Sequence, residues 1–90
     1  MNNQRRAKVR KAIKKVEKIK DMISEVTDFI EDVRMEEEDM FDNLPDWKQT
    51  LEHGIASEDA AMELQNAIDE LEYADTNLEE VINSLKEVSE

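Results

Sequence analysis

Cysteine is absent from this chain, and glycine, proline, histidine and tryptophan occur once each. Without cysteine there is no disulfide, no thiolate metal site and no cysteine nucleophile. A chain without disulfides fits a reducing compartment, so the cytoplasm is the expected location. Strand-type alternation and clusters of turn residues are missing too, which leaves β-structure no foothold. No apolar run is long enough to span a membrane. The basic N-terminus also lacks the apolar run of a secretory signal.

What remains is charge and aliphatic bulk. Of the 90 residues, 40% are charged and 39% hydrophobic, mostly Glu, Lys, Leu, Ile, Val and Ala. That mixture belongs to long helices and coiled coils. A chain of this size makes one small domain and often gains stability by oligomerising. Its charge is lopsided. Residues 1–20 carry nine Lys or Arg against Glu17 alone, while residues 21–90 carry three basic and 23 acidic residues, for a net charge of −12. The asymmetry points to a nucleic-acid or membrane contact at the basic end, or to a basic segment lying against its own acidic remainder.

Two segments hold a strict heptad repeat. With Val9 at position a, the a residues are Val9, Val16, Ile23, Ile30 and Glu37, and the d residues are Ala12, Ile19, Val26, Val33 and Met40. Only helix puts these on one stripe. The second segment repeats Leu64, Leu71, Leu78 and Leu85 at a, with Ala60, Ala67, Ala74, Val81 and Val88 at d. Between them Pro45 disfavours helix at Leu44 and suits the start of a short one over 45–53. Gly54 is expected as its left-handed stop and Ser57 as the next N-cap.

The expected fold is therefore all-α: a long antiparallel two-helix hairpin, coiled-coil-like, with a short helix in its connector. Residues 1–90 form one domain, with a helix over 4–40, a connector with its short helix over 41–56 and a helix over 57–88. Antiparallel pairing of a with d sets Ile23 against Ala74, Ile30 against Ala67, Val26 against Leu71 and Ile19 against Leu78. It also lays the basic N-terminal turns beside Glu79, Glu80, Glu87 and Glu90. Apolar residues spill beyond this seam at Ile13, Met22, Phe29, Ile68 and Ile82. A stripe wider than a and d belongs to bundles of more than two helices. These five are the expected oligomer interface, with two hairpins forming a four-helix dimer or a higher oligomer.

Candidate sites follow from what the repeats do not use. Glu36, Glu37, Glu38 and Asp39, with Asp42, Asp46 and Trp47, are the expected partner-binding residues. The four acids lie where a helix dipole disfavours them. The acidic face reads as a protein-binding surface, as a DNA mimic filling a basic groove, or as a solvated face that keeps the molecule soluble. Trp47 is either an exposed anchor or, the preferred reading, a plug buried with Phe41, Leu44, Leu51 and Ile55 at the open end of the hairpin. The basic end has no interleaved aromatics, which disfavours nucleic acid, and no Trp or Phe near its basic turns, which disfavours a membrane surface. Pairing with acids of its own or a neighbouring chain is preferred.

No metal or cofactor is expected. Bundle metal sites need Glu and Glu-x-x-His facing the core, whereas His53 lies in the connector and only Glu37 falls on the seam. The spacing Glu72-x-x-Asp75 is faintly similar to the Mg²⁺-binding helices of nucleotide pyrophosphatases but lacks their partner motifs. No catalytic residue is assigned, and the chain is read as a non-enzyme.

The run Glu36-Glu37-Glu38-Asp39-Met40-Phe41-Asp42-Asn43-Leu44-Pro45, with Gln49, Ser57 and Ile68-Asp69-Glu70-Leu71-Glu72, resembles small acidic proteins carried by bacterial phages and mobile elements. The likeness covers about residues 33–85 and is closest at Asp42-Asn43-Leu44-Pro45. That group has no common activity to carry over. The resemblance implies a phage or prophage setting, where small acidic proteins often bind and block a host protein, and it implies no catalytic residue. Other small helical phage proteins sequester cyclic-nucleotide signals, but net negative charge disfavours an anionic ligand away from the basic end. The expectation is a homo-oligomeric factor that inhibits or modulates a host protein, defence proteins included, or alternatively a DNA mimic or a structural coiled-coil adaptor.

Overall fold

A computed structural model describes residues 1–90 as three helices: α1 (Asn3–Asp42), α2 (Asp46–Gln49) and α3 (Glu52–Ser89). There is no strand. No helix is long and apolar enough to cross a membrane.

Local chemistry explains the ends. Asn2 caps α1, its Oδ1 accepting the Arg5 N–H at 2.9 Å, which satisfies one of the amides left free in a first turn. Pro45 ends the helical run by removing an N–H and by disfavouring helix at Leu44. The Phe41 carbonyl in the last turn of α1 and the Leu44 carbonyl just beyond it then find a donor in Gln49, whose Nε2 reaches both oxygens at 3.2 Å. α3 starts earlier than the expected 57, so Gly54 and Ser57 lie inside it.

Gly54 is therefore no left-handed stop; its φ is not positive. It is buried, and a Cβ there would stand 2.5 Å from the Gln49 carbonyl oxygen and 2.7 Å from that of Lys48. Glycine is needed because the end of α2 lies against the first turn of α3.

Packing divides the chain into two units, one of Met1–Glu25 with Leu71–Glu90 and one of Val26–Glu70. In each, a stretch of α1 runs antiparallel to a stretch of α3. The register in the first unit is shown by two polar contacts. Lys20 binds Glu79 and approaches Asp75 at 4.0 Å, and Arg10 Nη2 donates to the Ser89 carbonyl at 3.3 Å. These fall within a turn of the expected alignment.

The seam itself is rolled from the expected one. Ile19, Val26 and Val33, which should be central d residues, are 46%, 45% and 47% exposed. On α1 the inward residues follow a and e: Val9, Ile13, Val16, Lys20, Ile23, Thr27, Ile30, Arg34, Glu37 and Phe41 are buried or half-buried. On α3 the leucines at a are joined by Ala61, Ile68, Asp75, Ile82 and Ser89 at e. The d residues of α3 up to Ala74 are alanines, which offer little apolar area. Rolling toward e brings in Ile13, Ile68 and Ile82, alongside the polar Lys20, Thr27, Arg34, Asp75 and Ser89. Ile13, Ile68 and Ile82 are 8%, 2% and 3% exposed, so these three belong to the chain's own core and not to an oligomer interface. Of the five flanking residues, only Met22 and Phe29 remain on the surface.

Lys20 sits at an e position, and its ion pair sets a pH dependence. The Lys20 ammonium is raised above its ordinary 10.5, first by the hydrogen bond to Glu79 and then, against desolvation, by the charges of Asp75 and Glu79. Glu79 is lowered from 4.5, first by that same bond and then by the Lys20 charge. A lowered carboxylate contributes stability above its unfolded value and loses it as pH falls through the folded one. A raised ammonium contributes below its unfolded value and loses it as pH rises through the folded one. The stability advantage of the wild type over Lys20→Met should thus be flat between pH 4.5 and 10.5 and shrink on either side. Urea unfolding of both proteins at several pH values measures this. An advantage that persists undiminished into acid removes the pair from the account.

Candidate functional site

All seven expected partner-binding residues fall in the unit of Val26–Glu70. That unit holds fifteen Asp and Glu against Arg34 and Lys48 alone. Glu36, Glu38 and Asp39 are exposed on the last turns of α1, with Asp42 at its end, while Glu37 is half-buried in the seam. Arg34 relieves part of this acidity: it binds Glu31, and its Nη1 reaches Glu38 at 2.6 Å. Both pairs hold its guanidinium more firmly protonated, the bond to Glu31 contributing most. No basic residue occupies the last turn of α1. The dipole there is met only by the Gln49 amide, a neutral group.

Between the end of α1 and the early turns of α3 lies a groove of about 500 Å³, lined by Glu38, Phe41, Asp42, Glu58, Ala61, Met62 and Gln65. Phe41, Ala61 and Met62 are its apolar lining, and Glu38, Asp42 and Glu58 its carboxylates. Asp46 opens α2.

Trp47 does not plug the hairpin. It is 64% exposed, with Lys48 Nζ lying 5.2 Å from its ring centroid. Leu51 and Ile55 are also open, at 50% and 49%. The reason is geometric. α2 is a single turn, with the Thr50 hydroxyl folded back on the Trp47 carbonyl at 3.0 Å, too short to carry the indole over the end of the helix pair. His53 is the second residue of α3, not the end of a short helix.

Of the nine basic residues in the first twenty, Lys20 alone forms an ion pair. The expected self-pairing of the basic end is thus confined to one turn, and Arg10 serves instead as a cap on the α3 carboxyl end. No group of three or more His, Asp or Glu side chains is placed to hold a metal ion. Gln49 is a residue that the sequence reading missed, although its position just after Leu44-Pro45, where free carbonyls need a donor, could have shown it; Gly54 was singled out, but as a left-handed stop and not as the close contact between α2 and α3.

No family model, curated protein or solved structure matches the chain.

Proposed function

We propose that this chain is a non-enzymatic protein-binding factor, encoded by a phage or mobile element, that inhibits or modulates a host protein in the cytoplasm, a defence protein being the favoured kind. It works as a homo-oligomer, two hairpins forming a four-helix bundle. The observation that carries the reading is the acidic groove with an exposed tryptophan in the same unit. Lysine and arginine bury apolar stems while keeping charged heads in polar surroundings. A basic segment of a partner would lay such stems on Phe41 and Met62 and its charges on Glu38, Asp42 and Glu58, with Trp47 supplying an apolar anchor of the kind that dominates binding energy.

The test is capture from a bacterial lysate at low and high salt, comparing wild type with Asp42→Lys/Glu58→Lys and with Trp47→Ala. A discrete protein retained by wild type in both salts and lost by both variants supports the reading. Trp47→Ala should meanwhile keep its folding stability within about 0.5 kcal/mol, as expected for an exposed site. Capture indifferent to all these changes overturns it. Capture lost at high salt but untouched by Trp47→Ala points to a DNA mimic, whose affinity is electrostatic and screened.

A further inference from the structure

We infer that two copies of this chain associate through α1 in antiparallel, the Lys11–Met22 stretch of one copy lying on the Val26–Met40 stretch of the other. This rests on the self-association proposed above and specifies its face and its orientation.

The first observation is uncovered apolar surface. Because the seam uses a and e, the d and g residues of α1 are left outside it. In the first unit these are Ile19 and Met22, 46% and 63% exposed; in the second they are Val26, Phe29, Val33 and Met40, at 45%, 73%, 47% and 61%.

The second observation is the charge beside each strip. In the first unit, Lys11, Lys15 and Lys18 flank the apolar residues; in the second, Asp32, Glu36 and Asp39 do so. All six are exposed and none forms an ion pair within its own chain. Antiparallel pairing about Val26 sets Ile19 against Val33 and Met22 against Phe29. The same pairing sets Lys18 against Asp32, Lys15 against Glu36 and Lys11 against Asp39. Parallel pairing would bring like charges together. When each copy contributes both strips, the contact closes as a two-fold dimer. It also accounts for charges on α1 that run against its own dipole, with no acid in the first turn and no base in the last. An antiparallel neighbour supplies the complement at both ends.

The experiment is sedimentation of the purified full chain over a range of concentrations, with circular dichroism confirming helix content. Wild type should dimerise. Lys11→Glu/Lys15→Glu/Lys18→Glu and Asp32→Lys/Glu36→Lys/Asp39→Lys should each weaken the dimer at least about a hundredfold, since three pairs counted twice turn from attraction to repulsion. Mixing the two variants should restore a heterodimer. A second readout needs no variant. Zero-length amine–carboxyl crosslinking of mixed light and heavy wild type should join Lys18 to Asp32 between copies, residues about 21 Å apart along one helix. A wild type that stays monomeric overturns both this contact and the assembly it rests on. A wild-type dimer indifferent to the reversals, not rescued by mixing, or lacking that crosslink overturns this face alone.

Discussion

Ile68→Ala should lower folding stability by about 2–5 kcal/mol, the range for deleting a buried isoleucine to alanine. Ile68 is 2% exposed at the rolled seam of the second unit. The substitution removes apolar area and leaves a void that two helices cannot close without shifting their backbones. Tyr73→Ala, on a residue 68% exposed, should change stability by no more than about 0.5 kcal/mol. The smaller side chain thus matters more, which separates packing from size. Urea unfolding followed by circular dichroism at one fixed concentration measures both, because the proposed self-association would make apparent stability depend on concentration. If Ile68→Ala proves as mild as Tyr73→Ala, the a and e seam is wrong.

Gly54→Ala should destabilise, although alanine in a helix is ordinarily favoured over glycine by about 1 kcal/mol. The opposing term is steric. The new Cβ would lie 2.5 Å from the Gln49 carbonyl oxygen, and backbone cannot swing aside as a flexible side chain can. Overpacking of this sort costs about 1–3 kcal/mol, so the clash wins and the corner between α2 and α3 opens. The thermal midpoint should fall, and amide exchange should quicken first between Lys48 and Ile55. A rise in the midpoint would mean that α2 does not lie against α3 in solution.

Much of the fold is legible in the residues. An uninterrupted heptad over both arms leaves helix as the only stripe-forming choice, and Leu44-Pro45 forces a break where α1 ends. Antiparallel pairing follows from the connector's length, and the Arg10 and Lys20 contacts agree with the expected alignment. The candidate site was legible only as composition. The acids around Glu36–Asp39 and Asp42 are plain in the chain, but that Phe41 and Met62 lie with them in one groove depends on α3 arriving alongside. Trp47 shows why rarity misleads: its exposure is decided by a one-turn helix whose length Thr50 and Gly54 set.

Periodicity, charge and the proline determined that this protein is a pair of long helices, basic at one end and acidic over the rest, because helix formation depends on neighbours three and four residues away. Which face of each helix turns inward was decided only by the tertiary structure. Positions d and e flank a on opposite sides, and both carry apolar residues here. Their competition is settled by how much area each gives up when two particular helices meet, a choice that placed Ile68 and Ile82 inside and left Ile19, Val26 and Phe29 in the open.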